Sequence, residues 1–177
     1  GGASKGIVDA GHEVEGIDIE TQPQYPFKFF CDNALTVDLQ PNYFDAYWAS
    51  PPCQCFSWAS SKKIKSSYPD LVDPIRQRLL ATNRPFVIEN VVGSPLRKDL
   101  ILCGQTFGLN IFRHRIFEIH GFFVPQIKHE KHIGRAMSRR GIGSVFIVAG
   151  HMPGTIKEWQ EAMGIDWMSR DRLTEAI

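Results

Sequence analysis

Cys53 stands in Ser50-Pro51-Pro52-Cys53-Gln54-Cys55-Phe56-Ser57, directly after an apolar run that ends at Ala49. The prolines fix the backbone ahead of it, so its thiol is held in one orientation, and the carboxyl end of a strand is where open α/β sheets place reacting groups. On its own, a cysteine after a strand is more often a small buried apolar residue than a nucleophile. Two other segments change that reading. Glu89-Asn90-Val91 closes another apolar run, where an acid is costly to bury without a partner. Arg113-His114-Arg115 opens a third, and strand alternation sets Arg113 and Arg115 on one face with His114 on the other. One thiol, one acid and two guanidiniums near strand ends make a compact polar constellation, with the thiol as candidate nucleophile.

The elements that must position these groups follow from the apolar pattern. After Gly1-Gly2-Ala3-Ser4-Lys5-Gly6, a short helix is expected over 7–11, stopped by Gly11, and a strand over 14–18 that ends on Asp18. A glycine-rich turn, helix, strand and acid is how a nucleotide-type α/β unit begins. Buried strands are expected over 27–31 and 44–49, further strands over 86–89, 101–104 and 115–119, and a last buried strand over 145–149. Leu71, Ile75 and Leu79 predict a helix over 70–82. Residues 54–69 have no periodicity and read as a long functional loop. The alternation implies a doubly wound, mostly parallel α/β sheet in a single domain over residues 1–177.

The 177 residues are 43% hydrophobic and 22% charged, which excludes disorder and collagen-like repetition and suffices for one cored domain. Neither a membrane-length apolar run nor a signal-peptide pattern is present, so a cytoplasmic protein without membrane partners is expected. The net charge of +1 is unevenly spread: residues 1–50 sum to −6, 51–157 to +10 and 158–177 to −3. The middle of the chain therefore suits a polyanion. Within it, 126–140 holds five bases, one acid and two histidines without an apolar face, and reads as an exposed loop or small insertion. His129 and His132 have no cysteine or carboxylate at zinc-ligand spacing, so no metal is expected there and contact with phosphates is favoured. Four cysteines are too few for a disulfide scaffold.

These segments resemble the DNA (cytosine-5) methyltransferases, particularly small phage and prokaryotic forms, in family order over nearly the whole chain. Gly1 to Gly6 is similar to the second half of the first S-adenosylmethionine motif, Asp18 to the ribose-binding acid, and Asp32 to the acid that meets the adenine amine. Pro52-Cys53-Gln54 resembles the nucleophile motif, Glu89-Asn90-Val91 the base-holding motif and Arg113-x-Arg115 the arginine motif. TIKEWQEAMGI, 155–165, resembles the helix that braces the target-recognition region, with Glu158 and Gly164 aligned, and LTEAI, 173–177, the start of the last motif.

The resemblance implies a Rossmann-like S-adenosylmethionine-dependent fold whose first strand is missing from a fragment cut at both ends. It further implies that the Cys53 thiolate adds to carbon 6 of a flipped cytosine, with Glu89 on the ring, Asn90 fixing the strand end, and Arg113 and Arg115 holding the base. Gly2, Ser4, Gly6, Asp18, Ile19, Asp32 and Pro52 would hold S-adenosylmethionine, which leaves as S-adenosylhomocysteine. Gln54, Ser57, Lys62, Lys63 and Lys65, on the lid loop 54–69, would contact double-stranded DNA, as would Arg135, Arg139 and Arg140. A basic insertion near 120–144 stands in place of a full target-recognition domain, and the enzyme is expected to act as a monomer. Two alternatives stay open: the same chemistry on RNA, and a catalytically idle nucleic-acid-binding remnant.

Overall fold

Short apolar runs separated by glycine, proline and asparagine turns fold here into a mixed α/β structure. The computed structural model describes residues 2–58, 60–129, 131–132, 135–137, 144–146, 155–164 and 168. In chain order the described elements are α1 (Gly2–Asp9), β1 (Glu15–Asp18), β2 (Lys28–Cys31), β3 (Tyr47–Ala49), α2 (Lys62–Ser67), α3 (Val72–Ala81), β4 (Phe86–Asn90), β5 (Leu100–Cys103), a 3-10 turn (Gly104–Phe107), β6 (His114–His120), β7 (Arg135–Met137), β8 (Ser144–Phe146) and α4 (Ile156–Met163). The chain divides into two compact units, Gly1–Asp45 with Asp73–Arg84, and Ala46–Val72 with Pro85–Ile177.

In the first unit β1 and β2 pair in parallel, from Glu15 opposite Lys28 to Asp18 opposite Cys31. Gly16 admits the Tyr25 ring, which lies 2.6 Å from where a Cβ would stand, and the Tyr25 hydroxyl donates to Ser4 Oγ at 2.8 Å. The helix α1 starts five residues earlier than the expected 7–11, with an i,i+4 ion pair of 2.5 Å between Lys5 and Asp9 spanning its turns, and it stops at Gly11, whose φ of +91° suits glycine. Strand β2 is not buried as expected: it pairs only with β1 among the described residues, and Phe30 and Cys31 are exposed. The helix α3 buries Ile75 and Leu79 and ends at Ala81, and the chain turns away at Asn83, which takes the left-handed region (φ 53°). Arg78 donates to the Val37 carbonyl and Arg84 Nε to the Pro41 carbonyl at 2.6 Å.

The second unit holds a four-stranded sheet in the order β3-β4-β6-β5. Strands β3 and β4 are parallel, as a crossover demands, whereas β6 runs antiparallel to both β4 and β5. The sheet is therefore mixed rather than mostly parallel. Its buried face carries Phe86, Ile88 and Asn90 of β4 and Ile116 and Glu118 of β6. Strand β3 lies at an edge, which leaves Trp48 41% exposed instead of buried. Three further differences concern loops. Residues 54–69 contain α2, whose first turn is capped by Ser61 accepting from the Ile64 amide. Residues 126–140 contain β7, paired in parallel with β8, and the described part of the expected strand 145–149 is limited to β8. The aligned segment 173–177 lies outside the described residues.

Around Ile111, the residues Trp159, Ala162 and Met168 form a small core. The helix α4 that supplies two of them begins with a capping box, Thr155 accepting from the Glu158 amide and Glu158 from the Thr155 amide, and ends at Gly164 with φ 64°.

Candidate functional site

Alternation along β4 and β6 separates their side chains onto two faces, and the polar constellation falls on the less buried one. Glu89 lies opposite Phe117, one strand pair from Arg115, so the two reach each other diagonally. Arg115 Nε donates to Glu89 Oε1 at 2.7 Å, with both side chains about one-fifth exposed. The other end of the guanidinium donates to the His114 carbonyl at 3.1 Å, which fixes its plane. Arg113 is two residues away. Burial pushes its guanidinium down to about 10, Arg115 adding to the effect, while Glu89 and Cys53 act the other way. The thiol, the carboxylate and both guanidiniums therefore share one electrostatic neighbourhood.

The turn bearing Cys53 is anchored at several points. Asn90, 2% exposed at the end of β4, donates from Nδ2 to the Pro51 carbonyl at 2.9 Å and accepts the Val91 amide at 2.8 Å. The Cys53 carbonyl accepts the Phe56 and Ser57 amides at 3.0 and 2.9 Å, closing a tight turn. Gly93 lets the strand-end loop approach that turn, since a Cβ there would lie 2.8 Å from the Phe56 carbonyl oxygen. Cys53 itself is half-buried. Cys55 donates towards the Pro69 carbonyl at 3.8 Å, and burial, then the nearby Asp70, push its thiol up, which keeps it protonated. Gln54 Oε1 is buried without a hydrogen-bond partner among the described residues.

The residues expected to hold a cofactor lie mostly in the first unit. Asp18 and Asp32 sit at the adjacent carboxyl ends of parallel β1 and β2, with the Asp32 amide donating to the Asp18 carbonyl at 2.9 Å. Each carboxylate also accepts a local amide, Glu20 at 3.0 Å and Asn33 at 2.6 Å. Ile19 is 69% exposed beside them. Gly2 and Gly6 share a face of α1, and no atom lies within 4 Å of where their Cβ atoms would be. They belong to the helix rather than to a turn before it, and Ser4 is engaged by Tyr25. Pro52 is exposed in the second unit.

Of the expected nucleic-acid contacts, Lys62 and Lys63 are exposed on α2 and Lys65 is half-buried, with Trp58 81% exposed just ahead of them. Ser57 is half-buried in the Cys53 turn. Arg135 opens β7, and Arg139 and Arg140 lie outside the described residues. The expectation that His129 and His132 lack ligand-type neighbours is corrected: Cys103 and His114 stand beside them, all four ligand atoms lying within 4.8 Å of one another. Sequence spacing hid this because Cys103 and His114 are cross-strand partners of β5 and β6. No protein-family model, curated protein or solved structure matches the chain.

Proposed function

We propose that this chain is a DNA (cytosine-5) methyltransferase with a Rossmann-like S-adenosylmethionine-dependent fold. The observation that carries the reading is the grouping of Cys53, Glu89, Arg113 and Arg115 at neighbouring strand ends, with Glu89 and Arg115 2.7 Å apart. Cytosine carbon 5 is a poor nucleophile, and a thiolate corrects this by adding to carbon 6. Cys53 forms that carbon–sulfur bond, and the electron pair displaced from the 5,6 double bond becomes available at carbon 5. Glu89, carrying a proton, would donate to ring nitrogen 3 while its other oxygen accepts from the exocyclic amine, stabilising the charge that develops on the ring; Arg115 holds the Glu89 side chain in place and the Arg113 charge favours the thiolate. Asn90 holds the Cys53 turn to β4 through the Pro51 carbonyl. When bound, S-adenosylmethionine would supply an electrophilic methyl group, to which the carbon 5 electron pair bonds as the sulfonium carbon–sulfur bond breaks to give S-adenosylhomocysteine. Loss of the carbon 5 proton to solvent then restores the double bond and expels the Cys53 thiolate.

The cofactor-facing residues fit that donor. Two carboxylates at the ends of parallel strands suit ribose hydroxyls and an adenine amine, exposed Ile19 offers an apolar surface to a base, and the open glycine face of α1 leaves room for the methionine moiety. Gly2, Ser4, Gly6, Asp18, Ile19 and Asp32 of the first unit would hold it. Double-stranded DNA is the proposed partner, its flipped base replaced or held by loop 54–69, where Lys62 and Lys63 would neutralise phosphates and Trp58 offers a stacking surface. The protein would act as a monomer in the cytoplasm.

Transfer of labelled methyl groups from S-adenosylmethionine to matched double-stranded DNA and RNA tests this. The expected result is DNA labelling that Cys53→Ser abolishes. Preferential labelling of RNA overturns the DNA assignment, and labelling of neither polymer by a chain shown to bind DNA overturns methyl transfer.

A further inference from the structure

The half of the β5–β6 pair that faces away from Glu89 carries a second cluster. Cys103, the last residue of β5, is 2% exposed and directly opposite His114, the first of β6, so their side chains emerge on the same face. The chain then leaves β6 at Gly121 and returns with His129 and His132 to the same point. The three imidazoles meet through Nε2: 2.9 Å from His114 to His129, and 3.2 Å from His132 to each of the others. The Cys103 sulfur lies 3.5 Å from His132 Nε2. Phe112 stacks on the His132 ring with centroids 4.6 Å apart, holding that ring in orientation.

Three converging imidazole nitrogens are poorly explained by hydrogen bonding alone. A neutral imidazole offers one donor and one acceptor nitrogen, so three Nε2 atoms in a triangle cannot all satisfy one another, and protonating them sets like charges in contact. A shared cation resolves the conflict, because every lone pair can point at it. The spacing agrees: metal–nitrogen bonds of about 2.0–2.1 Å and a metal–sulfur bond of about 2.3 Å in a tetrahedron give edges of about 3.3 Å between nitrogens and about 3.6 Å from sulfur to nitrogen.

We propose that Cys103, His114, His129 and His132 form a structural zinc site. One thiolate and three imidazoles are borderline-soft donors that suit Zn²⁺, and four protein ligands close the coordination shell, leaving no position for substrate. The ion clamps the segment 121–132, with Lys128 and Lys131, to the β5–β6 pair. Because His114 stands between Arg113 and Arg115, it also pins the start of β6 beside both arginines, from the opposite face. The zinc site stands independently of the methyl-transfer reading.

The test is metal analysis of the purified chain after zinc loading and desalting, followed by replacement with Co²⁺ as a spectroscopic probe. The expected result is one zinc per chain, and for the cobalt form the intense visible bands of a tetrahedral ion with a thiolate-to-metal charge-transfer band. Cys103→Ser removes that band, and His129→Ala, at an exposed position that leaves the sheet intact, lowers the zinc retained by at least about tenfold. A wild-type chain that retains no zinc after loading overturns the site. So does a cobalt spectrum with octahedral, thiolate-free character, or a zinc content unchanged by His129→Ala.

Discussion

At the scale of single residues, the proposed site depends on how Glu89 is held. Its side chain is four-fifths buried and faces Arg115 at 2.7 Å, with half-buried Arg113 close in sequence. An acid in this position is oriented and shielded, which are the conditions under which one hydrogen bond to a developing charge matters most. Glu89→Gln keeps the shape and removes the exchangeable carboxyl proton. It is expected to lower methyl transfer by about 10²–10³-fold, read as initial rates at saturating cofactor. A rate within about twofold of the parent chain would show that Glu89 serves only the strand end. Much of this site was legible in the sequence, because strand alternation alone set Arg113 and Arg115 on one face and an acid at a strand end demanded a partner. The role of Asn90 was less so: its bond to the Pro51 carbonyl joins residues 39 apart, and only the parallel pairing of β3 with β4 brings them together.

At the scale of elements, local signals worked where a segment's own residues decide its form and failed where a distant partner does. The strands ending at Asp18, Ala49 and Asn90 and the helix α3 formed close to where the apolar pattern predicts them. The burial of β2 and β3 did not follow, since burial depends on which strand lies alongside, and both stand at sheet edges. The register of β5 against β6 was equally hidden, and with it the meeting of Cys103 with three histidines. In α4 the structure supplies a physical role for two residues that sequence similarity had only aligned: Glu158 completes a capping box and Gly164 takes the left-handed C-terminal position. Thr155→Ala is therefore expected to destabilise the chain by about 1 kcal/mol, lowering the melting midpoint by about 2–4 °C for a protein of this size. An unchanged midpoint would mean that the Trp159 core holds the helix without its cap.

At the scale of the whole molecule, the uneven charge and the mixed α/β architecture set the frame in which the two polar clusters sit. The first unit is acidic and ends its parallel strands on Asp18 and Asp32, while the basic middle of the chain carries the thiol, the arginines and the exposed lysines of α2. The proposed reaction turns on a covalent bond from Cys53 to carbon 6 of cytosine. The most direct measurement uses DNA containing 5-fluorocytosine, from which the final elimination cannot occur because fluorine does not leave as a proton does. The expected result is a denaturant-resistant protein–DNA adduct that requires S-adenosylmethionine and is absent in Cys53→Ser. Absence of the adduct when the chain binds the same DNA, or its persistence in Cys53→Ser, would contradict it.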